Sequence, residues 1–183
     1  MNENRKVALI SGVKLSHIKS VSDLRGSFFK FHPTEGLENP LDSVAISVNP
    51  HKGTIRGFHF QVEPFAEEKL ISCIQGAIFD VILDLRKASS TFGKWMTCEL
   101  TANNALQAYL PKGVAHGFQT LLPNTIVHYG ISSSYSPESA YCINPLDNLG
   151  VNWPLQPGPM SDHDIEGLTF ELAAKKFAES LQQ

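Results

Sequence analysis

The run Leu70-Ile71-Ser72-Cys73-Ile74-Gln75-Gly76-Ala77-Ile78-Phe79-Asp80-Val81-Ile82-Leu83-Asp84-Leu85 holds two apolar segments that meet with almost nothing between them. Two such segments joined at Gln75-Gly76 predict a tight hairpin. The second decides the fold class, because period-2 geometry sends alternate side chains to opposite faces. Phe79, Val81, Leu83 and Leu85 then share a dry face, while Ile78, Asp80, Ile82 and Asp84 share one that carries two carboxylates. Helical periodicity is missing.

Outward from this run, short apolar or alternating segments recur between Gly, Pro, Asn and Ser. They predict strands from Ser43 to Val48, Thr54 to Gln61, Leu70 to Gln75, Ala77 to Leu85, Lys94 to Leu100, Gln107 to Leu110, Gly117 to Leu121, and Thr125 to Ile131. Such a series reads as an all-β sandwich or barrel. After Trp153-Pro154 the pattern changes, and Phe170, Ala173, Ala174, Phe177 and Leu181 recur at helical spacing. The expectation is one domain over residues 1–183, with a β body at about 20–155 and a C-terminal loop and helix at about 156–183.

A net charge of −3, from 15 basic and 18 acidic residues without a long run of either sign, gives no nucleic-acid stripe and no polybasic membrane patch. No stretch approaches the ~20 apolar residues of a membrane span, and Met1-Asn2-Glu3-Asn4-Arg5-Lys6 lacks the apolar core of a signal peptide. A cytoplasmic protein is expected, with neither nucleic acid nor membrane as partner. Cys73, Cys98 and Cys142 are odd in number and widely spaced, so neither a disulfide framework nor a zinc motif is indicated.

Two histidines stand in turn-bounded, strand-like settings, His59 in Arg56-Gly57-Phe58-His59-Phe60-Gln61 and His116 in Pro111-Lys112-Gly113-Val114-Ala115-His116. Imidazole, with an unperturbed pKa of ~6.5, can take and return a proton near neutrality. His59 and Gln61 share a strand face, and Arg56 joins them only if the backbone bulges or twists at Gly57. A satisfied strand histidine is the plainer reading of His59 alone. The Pro-x-Gly-x-x-His run after a Gly/His-containing strand resembles the two-motif pattern of cupins, small jelly-roll barrels. Metal-binding cupins use His-x-His in the first motif, whereas here the run is His59-Phe60-Gln61, a weak ligand set for a transition metal.

Longer elements make the resemblance specific. Asp23-Leu24-Arg25-Gly26, Arg56 to Gln61, Glu68-Lys69-Leu70, Phe79 to Lys87, Ser90 to Trp95, Pro111 to Phe118, Tyr135 to Ser139, Gly150 to Pro154 and Ser161 to Asp164 follow in the order and spacing of the dTDP-4-dehydrorhamnose 3,5-epimerase family. That resemblance implies a cupin-type double-stranded jelly roll, usually a homodimer sharing an N-terminal strand. It implies epimerisation of a nucleotide-linked 4-keto-6-deoxy sugar in deoxysugar or surface-polysaccharide (lipopolysaccharide) synthesis, with no metal and no cofactor.

Carried over by position, His59 resembles the general base, Asp164 the carboxylate that orients it, Lys69 the cation beside the forming enolate, and Tyr129 the acid on the opposite sugar face. Arg25, Phe28, Arg56, Gln61 and His116 match substrate-side groups, and Asp80 matches the carboxylate behind His116. The residue types suit the chemistry: a proton α to a ketone needs a base within reach and a fixed cation near the oxygen that gains charge. Each has a plainer reading. Ser161-x-x-Asp164 fits a capping box, Lys69 a solvated lysine, Tyr129 a core aromatic, and Asp80 a solvent-facing carboxylate. A non-catalytic cupin binding a nucleotide sugar or another small ligand, or a metal-dependent one, is the competing class.

The sequence also departs from the family. The strand that offers Gln and Asn to the substrate there reads Val44-Ala45-Ile46 here, so two amides give way to apolar side chains. Lys30 replaces a glutamate, His163 a lysine, and Gly130 a basic residue. Which nucleotide is recognised, and whether C3, C5 or both invert, stays open at this level.

Overall fold

The computed structural model describes residues 8–31 and 37–182. In chain order the strands are β1 (Lys14–His17), β2 (Lys19–Asp23), β3 (Gly26–Lys30), β4 (Ser43–Asn49), β5 (Ile55–Gln61), β6 (Lys69–Gln75), β7 (Ala77–Asp84), β8 (Trp95–Thr101), β9 (Leu106–Leu110), β10 (Val114–Thr120), β11 (Thr125–Ile131) and β12 (Ala140–Cys142). Helices α1 (Asp162–Ile165) and α2 (Phe170–Ser180) follow. Two five-stranded antiparallel sheets, ordered β1-β9-β6-β11-β4 and β12-β5-β10-β7-β8, face each other as a cupin-type jelly roll, and β2 and β3 form a separate ladder.

Strand β7 lies between β8 and β10, and both of its faces are covered. Ile78 and Ile82 pack between the sheets with Ile71, Met96, Leu100, Phe118 and Val127. Val81, Leu83 and Leu85 form the other cluster with Phe58, Trp95 and Phe177. The face that carries the carboxylates is therefore the interior of the barrel, and Asp80 and Asp84 are both fully buried. A solvent-facing Asp80 is ruled out. The alternation was real, but α2 and the opposite sheet cover both sides of the strand.

The expected hairpin at Gln75-Gly76 is not formed. Strand β6 bonds to β9 and β11, whereas β7 bonds to β8 and β10, so the chain passes from one sheet to the other at Gly76. Gly76 has φ +79°, and a Cβ there would lie 3.1 Å from the Thr125 Cα, so only glycine makes this corner comfortably. The strand containing His116 begins at Val114 rather than Gly117, which puts His116 inside the ladder. Strands β1 to β3 escaped the sequence reading because all their residues are exposed and none shows a dry face.

Helix α2 starts at Thr169, whose hydroxyl accepts from the Leu172 amide at 3.4 Å. It buries Phe170, Ala173, Ala174 and Phe177 against the sheet that contains β7. Upstream, segment 143–161 is tied to β5: Phe58 and Ile143 exchange amide hydrogen bonds of 2.9 and 2.8 Å, and Ile55 N donates to Pro159 O at 3.1 Å. These ties deliver α1 to the mouth of the barrel.

Asp84 shows how the interior holds a charge. It accepts from Arg86 Nε at 2.8 Å and Nη2 at 2.9 Å, and from the Ser89 and Thr91 hydroxyls at 2.6 Å each. Burial pushes its pKa up, but these bonds outweigh burial and hold the carboxyl below the ordinary 3.8. A folded-state pKa below the unfolded one contributes stability that is complete above the ordinary carboxylate range and lost as pH falls through it. Urea titrations from pH 7 down to pH 3 should show the native protein weakening below about pH 4. Asp84→Asn should be ~3–5 kcal/mol less stable at pH 7, because Arg86 loses its partner, and should show a shallower acid limb.

Candidate active site

The site begins with a register mismatch. His116 pairs with His59, but Phe118 pairs with Arg56, so β5 spends one residue more than β10 over the same span. The extra residue is accommodated at Gly57, with φ +108°. A Cβ there would stand 2.5 Å from the His116 carbonyl oxygen and 2.6 Å from Gly117 Cα. The bulge is what lets Arg56 and His59 line one cavity of about 420 Å³ between the sheets. The second sheet contributes Arg56, His59 and His116, and the first contributes Lys69 and Tyr129.

His59 Nε2 lies 2.7 Å from Asp164 Oδ1, and the imidazole is 43% exposed to the cavity while the carboxylate is 4% exposed. With Asp164 accepting the Nε2 proton, the ring's lone pair resides on Nδ1. Burial pushes Asp164 upward, yet its bonds to His59, Cys142 and Ser161 prevail and hold it below the ordinary 3.8. Ser161 also caps α1, accepting from Asp164 N at 3.1 Å. The cap and the His59 contact coexist, because the cap uses the backbone of Asp164 and the histidine uses its side chain.

Lys69 is a buried cation, not a solvated one. Its Nζ lies 2.9 Å from Glu67 Oε1 and donates to the His59 carbonyl at 3.1 Å. Tyr129 faces His116 edge-on, with ring centroids 6.1 Å apart at 77°. Burial raises the Tyr129 phenol strongly, with the Ser47 hydroxyl and Arg56 pulling the other way and Asp80 adding to the rise. It therefore stays protonated at neutral pH. His116 is held by Asp80, 2.6 Å from Nε2 to Oδ1, with both side chains buried. Arg56 Nε donates to Asn49 Oδ1 at 2.8 Å.

Gln61 touches the cavity but its amide is committed to the protein. Nε2 donates to Phe65 O, Glu67 Oε2 and Ser134 O, each at 3.1 Å, and Oε1 accepts from Ser136 N at 2.8 Å. Arg25 and Phe28 stand apart on the exposed β2–β3 ladder, Arg25 paired with Asp23 at 2.6 Å and Phe28 69% exposed. Strand β4 corrects the reading of Val44-Ala45-Ile46. Its alternation turns Ser43, Ala45 and Ser47 into the cavity and leaves Val44, Ile46 and Val48 exposed on the other face. The cavity wall here is therefore small and partly hydroxylated, not aliphatic. These inward residues, with Tyr135, Tyr141 and His163, also line the cavity and were not singled out from the sequence as lining residues.

The dTDP-4-dehydrorhamnose 3,5-epimerase family model matches residues 8–171. A protein of that name from Sinorhizobium fredii is 38% identical over 151 residues, covering 79% of this chain and 77% of its own. A crystal structure of dTDP-4-dehydrorhamnose 3,5-epimerase from Bacillus anthracis with TDP and PPi bound matches with TM-score 0.83 at 38% identity, over 89% of this chain and 98% of that one. The dTDP-6-deoxy-D-glucose-3,5-epimerase of Legionella pneumophila, in complex with dTDP-4-keto-L-rhamnose, gives TM-score 0.85 at 32% identity, over 92% and 93%.

Two substitutions separate scaffold from surface. Gly57→Ala introduces both a positive-φ side chain and a backbone clash, and should cost ~2–4 kcal/mol in chemical denaturation. Gln61→Ala leaves buried donors and acceptors unpaired, and should lower stability by ~2–3 kcal/mol in the same assay.

Proposed function

Because the chain belongs to the dTDP-4-dehydrorhamnose 3,5-epimerase family, we propose that it is an isomerase that inverts C3, C5 or both of a nucleotide-linked 4-keto-6-deoxy sugar. The observation that carries this reading is an imidazole backed by a carboxylate on one sheet and a buried, protonated phenol on the other, both lining one cavity.

In this reading the sugar sits between the sheets, its ketone toward Lys69. His59 removes the proton α to the carbonyl through Nδ1, and Asp164 stabilises the imidazolium that results. Charge moving onto the ketone oxygen is met by the Lys69 ammonium, already fixed by Glu67 and the His59 carbonyl, so little reorganisation accompanies enolate formation. Tyr129 then gives a proton to the opposite face. Its elevated pKa makes it a poor acid toward water and a suitable one toward an enolate carbon. Arg56 and His116 are assigned to the sugar-diphosphate side, and the nucleotide diphosphate class fits the TDP and PPi bound in the Bacillus anthracis relative.

The same reading includes a homodimer. Val44, Ile46 and Val48 are 58–61% exposed on the outer face of edge strand β4, and Val21 and Phe28 on the β2–β3 ladder are 71% and 69% exposed. Apolar surface grouped in this way favours association. A ladder standing off the barrel can carry Arg25 and Phe28 to a neighbour's cavity. Cytoplasmic residence, in a route to surface polysaccharide, agrees with three unpaired cysteines. No helix among the described residues is long and apolar enough to cross a membrane.

Incubation with 4-keto-6-deoxy sugar nucleotides in deuterium oxide tests the function, with dTDP-, CDP-, GDP- and UDP-linked sugars compared. Deuterium should enter at C3, C5 or both for at least one of them, and no exchange with any would refute the assignment. His59→Ala should lower exchange ~10²–10⁴-fold at every position, whereas Tyr129→Phe should keep exchange and lose net inversion.

A further inference from the structure

A second set of side chains converges on His59 at the edge of the cavity. Cys142 is the direct partner of His59 across the β5–β12 ladder, and its Sγ lies 3.3 Å from Asp164 Oδ1. His163 Nδ1 lies 3.9 Å from the same oxygen, and the His59 and His163 rings have centroids 6.2 Å apart. One ligand atom from each of His59, Cys142, His163 and Asp164 falls within 4.8 Å of the others. Resting on the assignment of His59 as base, we propose that these four residues form a zinc-class cation site whose occupancy switches that base off.

The donor set is one thiolate, two imidazoles and one carboxylate, which suits a borderline-soft tetrahedral ion and not magnesium or calcium. Bonds of ~2.0–2.3 Å require ligand atoms roughly 3.3–3.8 Å apart. The observed Asp164 contacts of 2.7, 3.3 and 3.9 Å bracket that spacing. His59 and Asp164 must part by roughly half an ångström to admit the ion, and His163 stands 67% exposed at the rim of the set. An approach exists as well: a smaller cavity of about 210 Å³ is lined by Cys142, His163, Glu166 and Leu168, so the thiol and His163 are reached without passing through the sugar site. Without a cation, burial and the Asp164 charge keep Cys142 a protonated thiol.

Binding has a definite proton balance. The ion takes His59 Nε2 in place of its proton, and a neutral imidazole then carries its single N–H on Nδ1, the atom that would abstract the substrate proton. The Cys142 proton leaves to solvent as the sulfur–metal bond forms. Asp164 exchanges its hydrogen bond to His59 for a bond to the ion. No electron is transferred. The base is lost through its tautomer, with the imidazole still in place.

Cobalt(II) reports such a site directly. The full chain, stripped with a chelator, should bind one equivalent with a near-ultraviolet sulfur-to-cobalt band and the visible bands of a tetrahedral ion, and zinc should displace both. Cys142→Ser should abolish the near-ultraviolet band, and His163→Ala, at an exposed position that leaves the fold intact, should weaken cobalt at least tenfold. In ¹⁵N spectra of the imidazoles, zinc should shift Nε2 of His59 and place the proton on Nδ1. Absence of the sulfur band, its persistence in Cys142→Ser, unchanged affinity in His163→Ala, or His59 resonances that ignore zinc would each overturn the proposal. None of these readouts uses turnover, so metal-free protein that failed to exchange deuterium would refute the function and leave the site standing.

Discussion

Between the His59–His116 and Arg56–Phe118 pairs β5 fits two residues where β10 fits one, and the arrangement of the cavity follows from that mismatch. In a regular strand Arg56 and His59 would face opposite sides, one to the interior and one to the cluster beneath α2. The bulge at Gly57 rotates the strand locally so that Phe58 and Phe60 remain in that cluster while Arg56 and His59 both open to the cavity. Glycine is required twice over, by the positive φ and by the close approach of β10. Packing and chemistry thus divide the same seven residues.

Four carboxylates in and around the barrel interior are each held by a neighbouring donor. Asp80 is spent on His116, Asp84 on Arg86 with two hydroxyls, Asp164 on His59, and Glu67 on Lys69. A buried ion without a partner costs several kcal/mol, so these pairs are conditions of folding and not additions to it. Their geometry also fixes the functional groups. Glu67 binds the Lys69 ammonium with one oxygen and Gln61 with the other, linking the cation to the loop around Ser134 and Ser136.

Much of this is legible in the sequence. The period-2 run from Ile78 to Leu85 identified a strand, and the glycine between Arg56 and His59 pointed to the bulge. Other features were hidden for physical reasons. Gln75-Gly76 looks the same in sequence whether the chain folds back or crosses to another sheet, because both strands carry apolar residues on both faces. In β4, alternation alone does not say which set faces inward, and exposed valines and isoleucine invert the usual inference. Gln61 reads as a polar strand residue near a histidine, and only its four partners reveal that its amide has nothing left for a ligand. Cys142 reads in the sequence only as an isolated cysteine and His163 only as a departure from the family, because a ladder and a helical turn, not sequence spacing, bring them to His59.

The contact between His59 and Asp164 spans 105 residues, and its far end rests on a helix of four residues held by a serine cap and the ties of segment 143–161. Ile143 continues the pairing of β12 with β5, and Ile143 and Leu149 are buried in the cluster beneath α2, with Leu149 O accepting from Trp95 Nε1 at 3.0 Å. The segment that carries Asp164 toward His59 is thus also part of the core, so the fold and this contact are maintained by the same residues.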